Sequence, residues 1–267
     1  MTTAELALPP RPRRRLRAAL IVAALVAFTA LTCLPAIGGV EVDFGAIARN
    51  WANGATKVRQ LLQPDFTFLP RTVGPMLETL AMAVAGAAFA AVVSVPLTLW
   101  AARPSNPNRF GRALVRFVIN VNRAVPDLVF ATVLVAMVGV GTLPGFLTLF
   151  LFNVGVVVKL VSEAIEATDH PYLEAGQAAG GTQAQMNRAT LLPQSWPLFA
   201  NQWLYSLELN VRISAILGIV GAGGIGRLLD ERRGFYAYDD VGMIILEILV
   251  VVVLIELVSN ALRKRLR

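Results

Sequence analysis

Residues 172–194 read YLEAGQAAGGTQAQMNRATLLPQ. Small residues come first, then a glycine pair, then an amide-rich stretch that closes in Leu-Leu-Pro. Leu173 to Ala179 are good helix formers, and Gly180-Gly181 stops them. Ahead of them, Pro171 suits a first helical turn and Asp169 can cap it. Thr182 and Gln185 stand at capping-box spacing, which opens a second short helix that Pro193 ends. The spacing thus predicts helix, glycine turn, helix within residues 168–194. Ala175, Gly176, Ala178, Ala179 and Gly180 carry almost no side-chain bulk, so another backbone can come close. Taken alone, such a hairpin either packs against the protein's own helices or docks a partner.

The chain around this polar hairpin is strongly apolar. Its 267 residues are 56% hydrophobic and 15% charged, with a mean hydropathy of +0.62. Soluble domains carry about a quarter charged residues, so the composition points to an all-α membrane protein in a lipid bilayer. The net charge is +7. The basic residues flank apolar runs instead of gathering on one soluble face, which fits membrane topology better than nucleic-acid binding. One cysteine, Cys33, and one histidine, His170, leave no intrachain disulfide and argue against a cysteine or histidine metal centre. No catalytic residues stand out, because no nucleophile–base constellation appears.

A membrane helix needs about 20 mostly apolar residues. The first candidate, Ala18 to Val40, follows Arg11, Arg13, Arg14, Arg15 and Arg17. A cleaved signal peptide would look similar, but the run is long for its apolar core and further spans follow, which favours a retained anchor. Leu31 and Thr32 fit a lipoprotein cleavage site at Cys33 poorly. Further spans are expected at Pro75 to Ala102, Leu114 to Val138, Phe146 to Ile165, Pro197 to Val220 and Val241 to Leu262, six in all. The third carries Arg116, Arg123 and Asp127 near its start, and 139-GVGTLPG-145 reads as a tight turn after it.

Lysine and arginine bias orients these spans. The basic amino-terminal stretch shares a side with Arg263, Lys264, Arg265 and Arg267 and with the arginine-rich loop at 103–116. That side is cytoplasmic, and it holds the hairpin. The expected organisation is therefore 1–40 as basic terminus plus first span, 41–72 as external loop, 73–262 as core and 263–267 as basic tail. Within the external loop, Phe44, Ile47, Trp51 and Val58 suggest either a surface-lying amphipathic helix or a loop with one short packed helix.

Glu174-Ala175-Gly176, three residues, Gly180, nine residues and then Thr190-Leu191-Leu192-Pro193 resembles the EAA signature of ABC-importer permeases. That signature is Glu-Ala-Ala, three residues, Gly, nine residues, Ile-x-Leu-Pro; Gly176 and Thr190 depart from it. The resemblance implies a type I ABC-importer permease fold in a bacterial inner membrane. It makes the hairpin a coupling helix, with Glu174, Ala175, Gly176, Ala179 and Gly180 docking a cytoplasmic ATPase and Leu192-Pro193 fixing the exit into span five. It also implies a second permease copy, two ATPase subunits that bind ATP and Mg, and an external substrate-binding protein. No cofactor would belong to this chain.

The stretch 205-YSLELNVRISAILGIVGAGGIG-226 is similar to phosphonate-type permeases, in which Glu-x-Asn-x-Arg precedes a glycine-rich end. Leu207 stands where an aromatic is usual. The similarity covers roughly residues 70 to 262 and implies an oxyanion cargo: phosphonate, phosphite or phosphate. Glu208, Asn210 and Arg212 then become candidate pathway residues, since an arginine fork matches phosphonate oxygens. The competing reading pairs Glu208 with Arg212 at i, i+4. Gly221, Gly223, Gly224 and Gly226 become an outer gate or a close helix packing site. They also match the dinucleotide pattern G-x-G-x-x-G, but that works only between a strand and a helix. Arg123 with Asp127, and Lys159 with Glu163, read as structural pairs or part of an inner gate, while Glu247 and Glu256 read as partners of basic residues on neighbouring helices. A methionine-type permease shares the glycine-rich end, and a membrane scaffold or signalling subunit could use the hairpin as a dock. The Glu-x-Asn-x-Arg run weighs against the first, and the charges within the spans weigh against the second.

Overall fold

The computed structural model describes residues 14–32, 44–168 and 171–266, and divides into two compact units at Thr56–Lys57. In the first unit, α1 (Arg14–Thr32) is apolar from Ala18 onward. The rest of the expected first span lies outside the described residues, as do Cys33, Asp169 and His170. Helix α2 (Phe44–Leu61) runs across the boundary between the units, and Ile47, Trp51 and Val58 are exposed along it. The helical spacing of those residues is therefore realised over the full segment.

The regular structure of the second unit's described residues is all helical. Asp65 caps a short 3₁₀ turn, accepting from the Thr67 amide at 2.8 Å, and α3 (Leu69–Ala101) follows. Next come α4 (Arg109–Ala124), α5 (Asp127–Val138) and α6 (Thr142–Glu166). The short α7 (Pro171–Ala178) and α8 (Gln183–Met186) form the hairpin, and α9 (Leu192–Leu217), α10 (Gly224–Gly234) and α11 (Tyr238–Leu266) complete the unit. The core is the α3–α6–α9 packing. Small residues on α3 (Ala83, Gly86, Ala87, Ala90) let α6 approach until Leu149 sits against the Gly86 backbone. One apolar cluster joins Ala102, Val157, Val161, Ile165 and Phe199 near the hairpin, and another joins Met82, Ala131, Leu149, Leu217 and Ala222 toward the opposite end.

Among the described residues, four helices are long and apolar enough to cross a membrane: Phe66–Ala101, Thr142–Glu166, Gln183–Val220 and Tyr238–Arg265. The expected third span is broken. Its halves, α4 and α5, bend by 88° at Val125-Pro126; counted as one span, they make a fifth. The cause is local: Val125 is extended at φ −82°, ψ 125°, because the residue before a proline avoids the helical region. The apolar stretch of α1, Ala18–Thr32, is shorter than a full span.

Pro193 does not end a helix. It falls in the first turn of α9, where its missing N–H costs little, and the helical path runs from Gln183 to Val220. The chain widens into one π-helical turn at Asn187–Leu191, with the Leu192 amide reaching back to the Asn187 carbonyl. The Thr190 hydroxyl bonds the Met186 carbonyl at 2.5 Å in that turn.

Candidate functional site

The first helix, the glycine turn and the capping box of the hairpin form as their residues predict. Gly180 has φ +80°, and two bonds close a Schellman turn: its own amide to the Gln177 carbonyl, and the Gly181 amide to the Gly176 carbonyl, both 2.9 Å. The Thr182–Gln185 capping box is present, with the Thr182 amide donating to Gln185 Oε1 at 2.8 Å. Leu173 and Met186 are buried against α6 and α9, so the hairpin has an inner apolar side. Glu174, Ala175, Ala179 and Gly180 are exposed, leaving an outer face of small residues around one carboxylate. Gly176 is half-buried, and a Cβ there would come within 3.2 Å of Met186 Cγ, which accounts for glycine where alanine is usual. Leu192 is half-buried and Pro193 exposed where α9 begins.

Two residues not singled out by their spacing fasten this hairpin. Gln183 Nε2 donates to the Pro104 carbonyl at 2.9 Å, and Asn187 Nδ2 donates to the Ser105 carbonyl at 2.8 Å. Both bonds tie the second half of the hairpin to the loop between α3 and α4. At the same end, Glu166 accepts from the Arg103 amide at 2.7 Å and forms an ion pair with Arg116. The amide-rich composition of 183–194 was the only available signal, since partners some 80 residues away in sequence leave no local pattern.

The three expected pathway residues point to different neighbours. Asn210 is fully buried and donates to the Ala83 carbonyl on α3 at 2.9 Å, so it ties two helices together, while its own side-chain oxygen has no hydrogen-bond partner. Glu208 does not pair with Arg212. It accepts from Arg263 on α11 at 2.6 Å, with side-chain exposures of 11% and 26%. Arg263, the first residue of the expected basic tail, lies within α11 and makes a part-buried contact with α9. Arg212 is half-exposed and stands 3.8 Å from Glu256, so α9 and α11 share two charge contacts. A helical i, i+4 spacing permits the Glu208–Arg212 pair, but the packed α11 offers each residue a better-placed partner.

Glu256 meets the expectation of a basic neighbour, while Glu247 has no ion pair among the described residues and one buried carboxylate oxygen without a hydrogen bond. Lys159 and Glu163 pair at 2.6 Å. Arg123 and Asp127 do not pair, because the bend at Pro126 separates them. Both line a cavity of about 480 Å³ with Asn122, Phe152, Val156, Ile213 and Ile216.

The glycine-rich stretch is a packed turn joining α9 to α10, with no strand before it. Gly221, Gly223 and Gly224 have positive φ. The Ile225 amide donates to the Thr79 hydroxyl at 2.8 Å, and the Gly141 amide donates to the Gly221 carbonyl at 3.1 Å. At Gly226 a Cβ would collide with the Ala215 carbonyl, so the glycine is needed for backbone contact.

Comparison with known proteins agrees with this architecture. Over 246 residues, 86% of this chain and 90% of the relative, the sequence is 38% identical to the phosphite transport system permease protein PtxC of Stutzerimonas stutzeri. It is 37% identical to the phosphate-import permease protein PhnE of Mycolicibacterium smegmatis over 79% of this chain, which spans 41% of that longer protein. The inward-facing MetNI methionine ABC transporter contains a similar chain, with a TM-score of 0.67 at 23% identity over 76% of this chain and 99% of that one; this establishes a shared fold. Residues 94–267 match the family model "Binding-protein-dependent transport system inner membrane component". With that match over most of its length, the helical hairpin and the apolar spans, this multi-pass membrane chain belongs to the binding-protein-dependent transport system inner membrane component family.

Proposed function

We propose that this chain is the permease subunit of an ABC importer for phosphite, phosphate or a phosphonate. The observation that carries the reading is the hairpin: an exposed small-residue face, anchored by Leu173 and Met186 and latched by Gln183 and Asn187. The similarity to a phosphite permease over nearly the whole chain supports the oxyanion class.

In this reading the permease works as a homodimer in the bacterial inner membrane, with both termini, the 102–108 loop and the hairpin cytoplasmic. Each hairpin sits on one ATPase subunit, and an external binding protein delivers the anion to the opposite face. ATP binding closes the ATPases and pushes the hairpins together. That displacement enters α9 directly, because α8, the π turn and α9 are one continuous helical path. It enters α3 and α4 through the amide bonds to Pro104 and Ser105. The core helices then move as bodies, and the cavity between permease copies changes sides. This chain supplies no ATP chemistry; its residues bind, brace and transmit.

The test is ATPase activity of the complete complex in lipid vesicles with its binding protein, against phosphate, phosphite, methylphosphonate, 2-aminoethylphosphonate and methionine. Stimulation by one or more oxyanions is the expected result. Stimulation by methionine alone would move the chain to the neighbouring substrate class, and no response to any ligand would leave the hairpin a static dock.

A further inference from the structure

The geometry points to Arg123 as the anion-holding residue of the translocation pathway, at the break between α4 and α5. This rests on the oxyanion-importer reading above. The residue sits deeper than its place in the sequence suggests. A Cβ on Gly155 would come within 2.9 Å of Arg123 Cγ and 2.6 Å of Asn122 Nδ2, so the arginine stem lies against α6 at Gly155. Gly155 is midway along the 25 residues of α6, roughly 16–20 Å from either end at the α-helical rise. Arg123 is exposed in the single chain, with its stem at the level of the middle of α6; at that depth of an apolar bundle a cation without a partner is costly and marks an ion pathway.

Arg123 forms no ion pair among the described residues. Other basic residues on the packed helices do: Arg263 has Glu208, Arg212 has Glu256, and Lys159 has Glu163. Arg123 opens into the 480 Å³ cavity. The walls facing it are apolar, from Phe152, Val156, Ile213 and Ile216. Such walls lower the local dielectric and strengthen the arginine's pull on a small anion.

The surrounding residues hold this arrangement in place. Asn122 donates to the Leu151 carbonyl at 2.8 Å and so fixes the end of α4 against α6. Pro126 bends the chain, and the first turn of α5, whose leading N–H groups lack helical partners, lines the same space. Asp127 also lines it and forms no ion pair with Arg123. Its carboxylate, unpaired with the arginine, tempers that pull without cancelling it, so the anion is held weakly enough to leave. A phosphonate, phosphite or phosphate would take a forked hydrogen bond from the Arg123 guanidinium during passage.

The test uses the full complex in vesicles. Arg123→Gln is expected to lower phosphite uptake about tenfold or more, the loss of one charge-assisted bond, while Arg123→Lys retains part of it. A second measurement does not depend on transport. Ile216→Cys, in a Cys33→Ser background, places a thiol on the cavity wall with Arg123 intact. An anionic methanethiosulfonate reagent should modify it about tenfold faster than a cationic one, relative to a free thiol, as expected of charge focusing in a cleft. Arg123→Gln should abolish that preference, and millimolar phosphite should slow the modification. If Arg123→Gln took up phosphite like the wild type, or the thiol showed no charge preference, the assignment to Arg123 would fall while the importer reading stood. If the unmutated complex took up no oxyanion at all, both would fall.

Discussion

Glu208 and Arg263 make the sharpest quantitative case. The pair joins α9 to α11 at 2.6 Å, with Glu208 almost wholly buried and Arg263 about three-quarters buried. Removing one partner of a buried ion pair costs about 3–5 kcal/mol, because the other charge is left uncompensated. Glu208→Gln keeps the shape and a neutral acceptor, which retains roughly half of the charge-assisted bond. Arg263 is also a quarter exposed, which softens the loss further. The expected cost is about 2 kcal/mol. For a chain of this size that corresponds to a fall in Tm of about 4–8 °C. Thermal unfolding of the purified permease in detergent, followed by size-exclusion fluorescence, would read it. Glu208→Leu with Arg263→Met should recover most of the loss, since well-packed apolar residues replace a buried pair at little cost. A Glu208→Gln protein that melted with the wild type would refute the structural role and return Glu208 to the pathway. So would a double variant no more stable than Glu208→Gln.

Three further predictions concern other parts of the molecule. Ala178→Trp adds a large ring to an exposed position, so the permease should insert and melt normally, within about 0.5 kcal/mol, while the complex hydrolyses ATP without uptake; normal uptake would place docking elsewhere. Gln183→Ala with Asn187→Ala removes both bonds to the 104–105 carbonyls, and uptake per ATP hydrolysed should fall with the hairpin still folded; an unchanged ratio would confine force transfer to α9. Gly226→Ala pushes a methyl into the Ala215 carbonyl and should destabilise by about 1–3 kcal/mol, visible as a lower Tm, whereas a free hinge would tolerate it.

Local chemistry was legible in the sequence wherever partners lie within a few residues. The capping box at Thr182 and Gln185, the left-handed Gly180, the helical start at Pro171 and the Lys159–Glu163 pair all appear where spacing put them. The hairpin's exposed small-residue face was legible for the same reason, because exposure of Ala175 and Ala179 follows from burying Leu173. Pro126 was visible too, but its effect was not. Apolar composition counts residues toward a span without registering that Val125 turns extended and bends the path by 88°.

By itself, then, the sequence determined an all-helical membrane chain, its apolar helices and the helical hairpin, because hydropathy and capping act over one or two turns. Tertiary structure decided which charges meet. Glu208 had Arg212 four residues away, yet pairs with Arg263 fifty-five residues on, while Arg212 takes Glu256. Within one helix an i, i+4 pair is only a possibility; packing α11 against α9 brings in a partner across the interface, where less water competes for the bond. The same packing set Asn210 on the Ala83 carbonyl and left Arg123 lining a cavity without an ion pair among the described residues.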